Sequence, residues 1–289
     1  MIFRRGTPVQ KEWEAFIKRE KKALERYGCQ RESFWEKRLS GLVPQGLSAK
    51  LEAAFEKAFR AVLAGGTGLI EKTYSREKLE LEYRARDYKT GLMPTRKHIR
   101  ENSRIARRQR TASTVAAGVE GAGLGLLGIG IPDIPLFLAA LFRNLYKLCL
   151  HYGIDYENPE EKELLLEMIA LSLYQGEDFQ QRDAALNRRL YEMAVKDWRI
   201  REKTGKAGAA AAGEAKRSVS SDAVREAARA LSGELLYLKF LQGIAIVGVI
   251  GGACDSICMG RISKYASLKF ERRHLLRLVI SEAGGPAGK

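Results

Sequence analysis

The sequence predicts an all-α fold, a multi-helix bundle in which two glycine-rich apolar helical segments pack together. Three observations carry that expectation. Apolar residues recur three and four apart along most of the chain, the spacing that lines one face of an α-helix. Strand signals are almost absent. The periodicity breaks at GLVPQG, at KTGLMP, at the turn from Pro132 to Pro135 and at YGIDYENPEE, each built from Gly, Pro, Asn or Asp.

Taken in order, the first helix shows in Trp13, Phe16, Ile17, Leu24 and Tyr27, and the next in Leu51, Phe55, Phe59, Val62 and Leu63. Asn158 reads as an N-cap, with Pro159 at the first helical position and Glu160 and Glu161 in the first turn, so a helix starts there. It continues through Leu164, Leu165, Met168, Ile169 and Leu173. Leu186, Leu190, Met193 and Trp198 mark another, and Val224, Ala228, Leu231, Leu235 and Leu238 a further one. Between these two, REKTGKAGAAAAGEAKRSVSSD, with no large apolar residue between Ile200 and Val219, reads as a flexible loop. The expected organisation is a helical extension over 1–44, a helical domain over 45–281 interrupted by this Ala/Gly-rich loop at about 201–221, and a disordered tail over 282–289.

The chain has 289 residues, 45% of them hydrophobic, which is enough for a sizeable core. A formal net charge of +15 favours polyanionic partners: phospholipid headgroups, nucleic acid or an acidic protein face. The four cysteines are sparse, and the opening MIFRRGTPVQKEWEAF holds no apolar stretch of secretory length. A reducing, cytoplasmic setting is expected.

The charge is concentrated beside apolar sequence. Arg96, Lys97, Arg100, Arg104, Arg107, Arg108 and Arg110 stand against Glu101 alone, and residues 112–131 then carry one charge, Glu120, and six glycines. Cations beside apolar side chains suit an anionic membrane surface, where the first meet headgroups and the second reach the acyl boundary. Twenty residues at about 1.5 Å rise match the roughly 30 Å hydrocarbon thickness. Glycine contributes little transfer energy, however, and Glu120 costs about 2.5 to 3.5 kcal/mol near mid-membrane, so shallow insertion is favoured over spanning. A second segment, GIAIVGVIGGACDSICMG, precedes another basic helix, RISKYASLKFERRHLLRL. Small residues four apart, Gly121 with Gly125 and Gly248 with Gly252, allow the two segments to approach closely. The alternative is that both form a soluble core.

Motifs of chemistry are missing. Gly123, Gly125 and Gly128 fit the dinucleotide string, but no strand precedes them and Pro132 closes off a following helix. Cys254 and Cys258 read as small core residues, and His98, His151 and His274 stand apart from one another. Glu160, Glu161, Glu163 and Glu167 read as a helix N-terminus and a solvated face. No catalytic, cofactor-binding or metal-binding residue is assigned, and an interaction role is favoured over an enzyme. Nucleic acid is disfavoured, since no reading motif or interleaved aromatic accompanies the arginines.

The run GIPDIPLF, then Arg143, then HYGID with NPEE, resembles the core signature of the EcsC family, and VIGGACD with the basic helix after it resembles the family's glycine-rich stretch. The resemblance spans roughly residues 45–281. Its matching positions are Pro132, Asp133, Pro135, Arg143, Tyr152, Gly153, Pro159, Gly251, Gly252, Asp255 and Arg273, with Asp255 standing where the family pattern has Asn. The resemblance implies a helical protein near the membrane, with a membrane complex such as an ABC exporter as a partner, and assigns no catalytic residue. The resulting expectation is an accessory protein at the inner face of the membrane, bound to anionic lipid. The alternative is a soluble helical protein that binds a partner protein or a small apolar ligand.

Overall fold

The computed structural model describes residues 6–25, 27, 46–109, 134–204, 218–241 and 251–286, and these contain helices and no strands, as the periodicity predicts. The helices are α1 (Pro8–Leu24), α2 (Leu47–Ala61), α3 (Thr67–Glu71), α4 (Arg76–Leu92), α5 (96–109), α6 (Ile134–His151), α7 (Pro159–Leu173), α8 (Phe179–Thr204), α9 (Ser221–Leu241) and α10 (Gly251–Glu282). A π-helical turn, Val62–Gly66, joins α2 to α3. The segment 112–131, and with it the expected packing of Gly121 and Gly125 on Gly248 and Gly252, lies outside the described residues.

Local chemistry sets the helix ends. Thr7 caps α1 in a reciprocal capping box with Gln10, and Pro8 occupies the first turn. Ser75 caps α4 through the Lys78 amide, and Asn158 caps α7 through the Glu160 amide at 2.9 Å. α6 and α10 each end in a Schellman motif. After α6, the Ile154 amide donates to the Cys149 carbonyl and the Gly153 amide to Leu150, with Gly153 at φ 68°. After α10, Gly285 donates to Ile280 and Gly284 to Ser281, with Gly284 at φ 72°. The end of α10 is tied to the start of α1 by the Thr7 hydroxyl, which donates to Glu282 at 2.8 Å.

α10 is the axis of the bundle. It contacts α1, α6, α7, α8 and α9, and buries Ile262, Tyr265, Ala266, Phe270 and Leu275 among them. α9 packs against α2 and α7, and α4 lies along α6. α7 buries Leu164, Leu165, Leu166, Met168 and Ile169, while Glu160, Glu163 and Glu167 on its outer side pair with Arg189 and Lys196 of α8. α5 docks by Ile99 against Phe16 of α1 and Leu268 and Leu275 of α10. α8 continues to Thr204, and Arg201 near its end makes an ion pair with Asp87 of α4. No helix among the described residues is long and apolar enough to cross a membrane.

Gly153 is held twice over: its φ is left-handed, and a β-carbon there would fall inside the Tyr83 ring. Gly153→Ala is expected to cost about 2 kcal/mol, by strain and by displacement of Tyr83. Urea unfolding followed by circular dichroism measures it.

Candidate functional site

α10 carries a run of charge on a helix buried by its neighbours. Lys269 is fully buried and its Nζ donates to Glu20 of α1 at 3.0 Å and to Asp183 and Asn187 of α8 at 2.9 and 3.0 Å. Tyr265 donates to the same Asp183 at 2.6 Å, and Arg272 pairs with Glu20. One turn on, Arg273 Nη1 donates to both oxygens of Glu161 at 2.7 and 2.8 Å, and its Nε and Nη2 reach Asp197. Burial opposes the Arg273 charge, but Glu161 and Asp197 outweigh it and hold the guanidinium above its ordinary value. Arg277 donates to the Tyr152 carbonyl at 2.7 Å, the carbonyl that the α6 cap leaves pointing at α10. Glu271 accepts from Arg19 at 2.6 Å and from Ser103 of α5 at 2.7 Å.

The second basic helix is thus not a solvated cationic face. Lys269 and Arg273 point into the bundle because carboxylates on α1, α7 and α8 meet them there. Glu161, expected on a helix N-terminus and solvated, is likewise buried against Arg273.

α5 is divided differently. Ile99, Asn102, Ser103 and Ala106 form its buried stripe. Arg96 and Arg100 flank that stripe and share Glu12 of α1, at 3.3 and 2.7 Å, while Arg107 approaches Glu271 at 3.9 Å. Lys97, Arg104 and Arg108, spaced seven and four apart, line the opposite face, and all three are exposed. Arg110 lies outside the described residues.

A model of the EcsC protein family matches residues 10–275, from the first turn of α1 through most of α10. The chain belongs to the EcsC protein family. No curated protein and no solved structure matches it.

The EcsC positions named from the sequence divide between helix ends and the charged axis. Tyr152 and Gly153 form the α6 cap, Pro159 opens α7, Pro135 lies in the first turn of α6, and Gly251 and Gly252 in that of α10. Arg143 is half-buried on α6, its Nη2 3.4 Å from the Thr73 carbonyl. Arg273 is central to the ion pairs. Pro132 and Asp133 lie outside the described residues, as does the side chain of Asp255. Among the described residues no group of His, Cys, Asp and Glu is arranged to hold a metal ion. An open groove of about 530 Å³ beside the Lys269 cluster is lined by Ala184, Asn187, Arg188, Tyr191, Glu192 and Arg272.

The carboxylates of this EcsC axis escaped the sequence reading. Glu12 and Glu20 sit four residues either side of Phe16 and therefore on its buried stripe, and Asp183 stands three before Leu186. A charge at an apolar-period position was the signal that could have found them.

This charge set can be probed by substitution and by acid. Arg273→Ala leaves Glu161 buried and uncompensated, and is expected to destabilise by about 3–5 kcal/mol; Arg273→Met with Glu161→Leu recovers most of that, as a urea titration of both variants would measure. Acid acts through histidine. Burial, with Arg277, Arg201 and Arg86 nearby, pulls His274 down to about 3, and burial, with Arg86 and Lys147, pulls His151 down to about 4. The unfolded imidazoles protonate near 6.5, so the stability these groups confer is present above that pH and lost as pH falls towards the folded values. Each group accounts for about 1.4 kcal/mol per pH unit across its window. Melting curves of His274→Gln should show a shallower loss between about pH 6.5 and pH 4 than those of wild type.

Proposed function

We propose that this EcsC-family protein docks peripherally on an anionic phospholipid surface at the cytoplasmic face of the membrane, through the exposed stripe of α5, and works there as an accessory protein. The single observation that supports it is the contrast between the two basic helices. On α10 the buried cations are each met by a carboxylate of the bundle, whereas on α5 Lys97, Arg104 and Arg108 share one exposed face and meet no acid partner among the described residues. A cation near an anionic surface gains about 1 kcal/mol, so three on one face provide a modest, salt-sensitive attraction. Family membership is compatible with this role and adds no chemistry of its own. A membrane complex such as an ABC exporter is the partner we propose for the docked protein.

Lys97→Glu, Arg104→Glu and Arg108→Glu together are expected to abolish sedimentation with anionic vesicles at low salt while leaving the melting temperature unchanged, because none of the three joins an ion pair of the bundle among the described residues. Unchanged sedimentation of the triple variant would remove the proposal.

A further inference from the structure

The surface beside that stripe is built for insertion. Tyr88, Leu92 and Met93 are 70%, 64% and 61% exposed and stand together at the corner where α4 gives way to α5. Leu81, also exposed, extends the stripe along α4, since 81, 88 and 92 fall on one helical face. The corner is stiff. The Met93 amide donates to the Lys89 carbonyl at 3.0 Å, the Thr95 amide to the Met93 carbonyl at 2.7 Å, and the His98 ring sits 2.8 Å from that same carbonyl. Pro94 fixes the backbone between them. Below the tip, Asp87 is tied to Tyr83 and Arg201, so the end of α4 is anchored in the bundle.

Lys89 and Lys97 are exposed on either side of this corner, and the sequence from Tyr88 to Arg100 contains no carboxylate; Arg84 and Arg96, also exposed, are engaged by Glu80 at 3.7 Å and Glu12 at 3.3 Å. An exposed apolar tip flanked by lysines has a specific complement, the interfacial zone of an anionic bilayer, where acyl chains take the Leu and Met side chains, the headgroup layer takes the tyrosine and the phosphates take the lysines.

We infer that the α4–α5 corner is the membrane anchor of this protein, with Leu92 and Met93 entering the acyl boundary and Tyr88 seated at headgroup level. The inference rests on the docking reading above and adds an apolar, salt-resistant component to it. The tip sits at the N-terminal end of α5, next to Lys97, so insertion there and contact by Arg104 and Arg108 place α5 along the membrane.

The test uses the full chain and vesicles of phosphatidylglycerol and phosphatidylcholine. In about 1 M NaCl, where the Debye length is about 3 Å, a purely electrostatic complex dissociates and an inserted one persists. Wild type is expected to remain bound, and L92D/M93D to bind about tenfold or more weakly while melting at the wild-type temperature, since both side chains are exposed. In a second measurement, the L92W variant should show a fluorescence component quenched by brominated acyl chains that wild type lacks. Salt-resistant binding by L92D/M93D, wild-type binding that vanishes at high salt, or a vesicle-bound L92W variant whose added fluorescence is not quenched would each overturn the anchor and leave recruitment by α5 standing, with the corner free for a protein partner. Absence of wild-type binding at low salt would overturn recruitment and anchor together.

Discussion

A buried ammonium must be met by carboxylates or lose its proton, and Lys269, on the central helix of the bundle, is met by Glu20 of α1 and Asp183 of α8. The register of three helices follows from that one group. Glu20 also takes Arg272, and Asp183 also takes Tyr265, so sliding α1 or α8 by one turn would strand several charges at once. The same logic repeats along α10, where Arg273 joins α7 to α8 through Glu161 and Asp197. Hydrophobic burial supplies the drive to collapse, and these pairs select which collapsed arrangement is acceptable.

Internal pairing decides where the protein's positive charge can act. Lys269, Arg272, Arg273 and Arg277 face Glu20, Asp183, Glu161 and Asp197, four cations against four carboxylates, so the axis is close to neutral and the excess of +15 resides elsewhere. On α5 the division is visible on one helix: Arg96, Arg100 and Arg107 face carboxylates of α1 and α10, and Lys97, Arg104 and Arg108 face away. The α4–α5 corner brings apolar surface to the end of that outward stripe. The proposed recruiting stripe and anchor are therefore adjacent on the surface and separate from the interactions that hold the bundle together.

The helical architecture was legible because its signals are local. The Asn158–Pro159 start, the regularly spaced leucines of α7 and the glycine stops act within a few residues of themselves. The basic run from Arg96 was legible too, as composition. What composition could not convey was direction. Whether a lysine turns inward depends on a carboxylate distant in the chain, as Asp183 is from Lys269, 86 residues away. Gly153 illustrates the intermediate case: its pairing with Tyr152 in a family-like motif was evident from sequence, but its reason, a Schellman cap with Tyr83 against the α-carbon, exists only in three dimensions. The exposed pair Leu92 and Met93 was hidden for the opposite reason, since KTGLMP reads as a break and a break carries no expectation of which side chains protrude.

The roles proposed for the two basic helices are opposite, α10 bracing the interior and α5 meeting the membrane. Amine-acetylation footprinting, read by mass spectrometry on free protein and on protein bound to anionic vesicles, tests that contrast most directly. Lys269 is predicted to resist modification in both states, while Lys97 and Lys89 react readily in the free protein and are shielded on vesicles. A Lys269 that is modified as fast as Lys97 in the folded protein, or a Lys97 that reacts equally with and without vesicles, would contradict it.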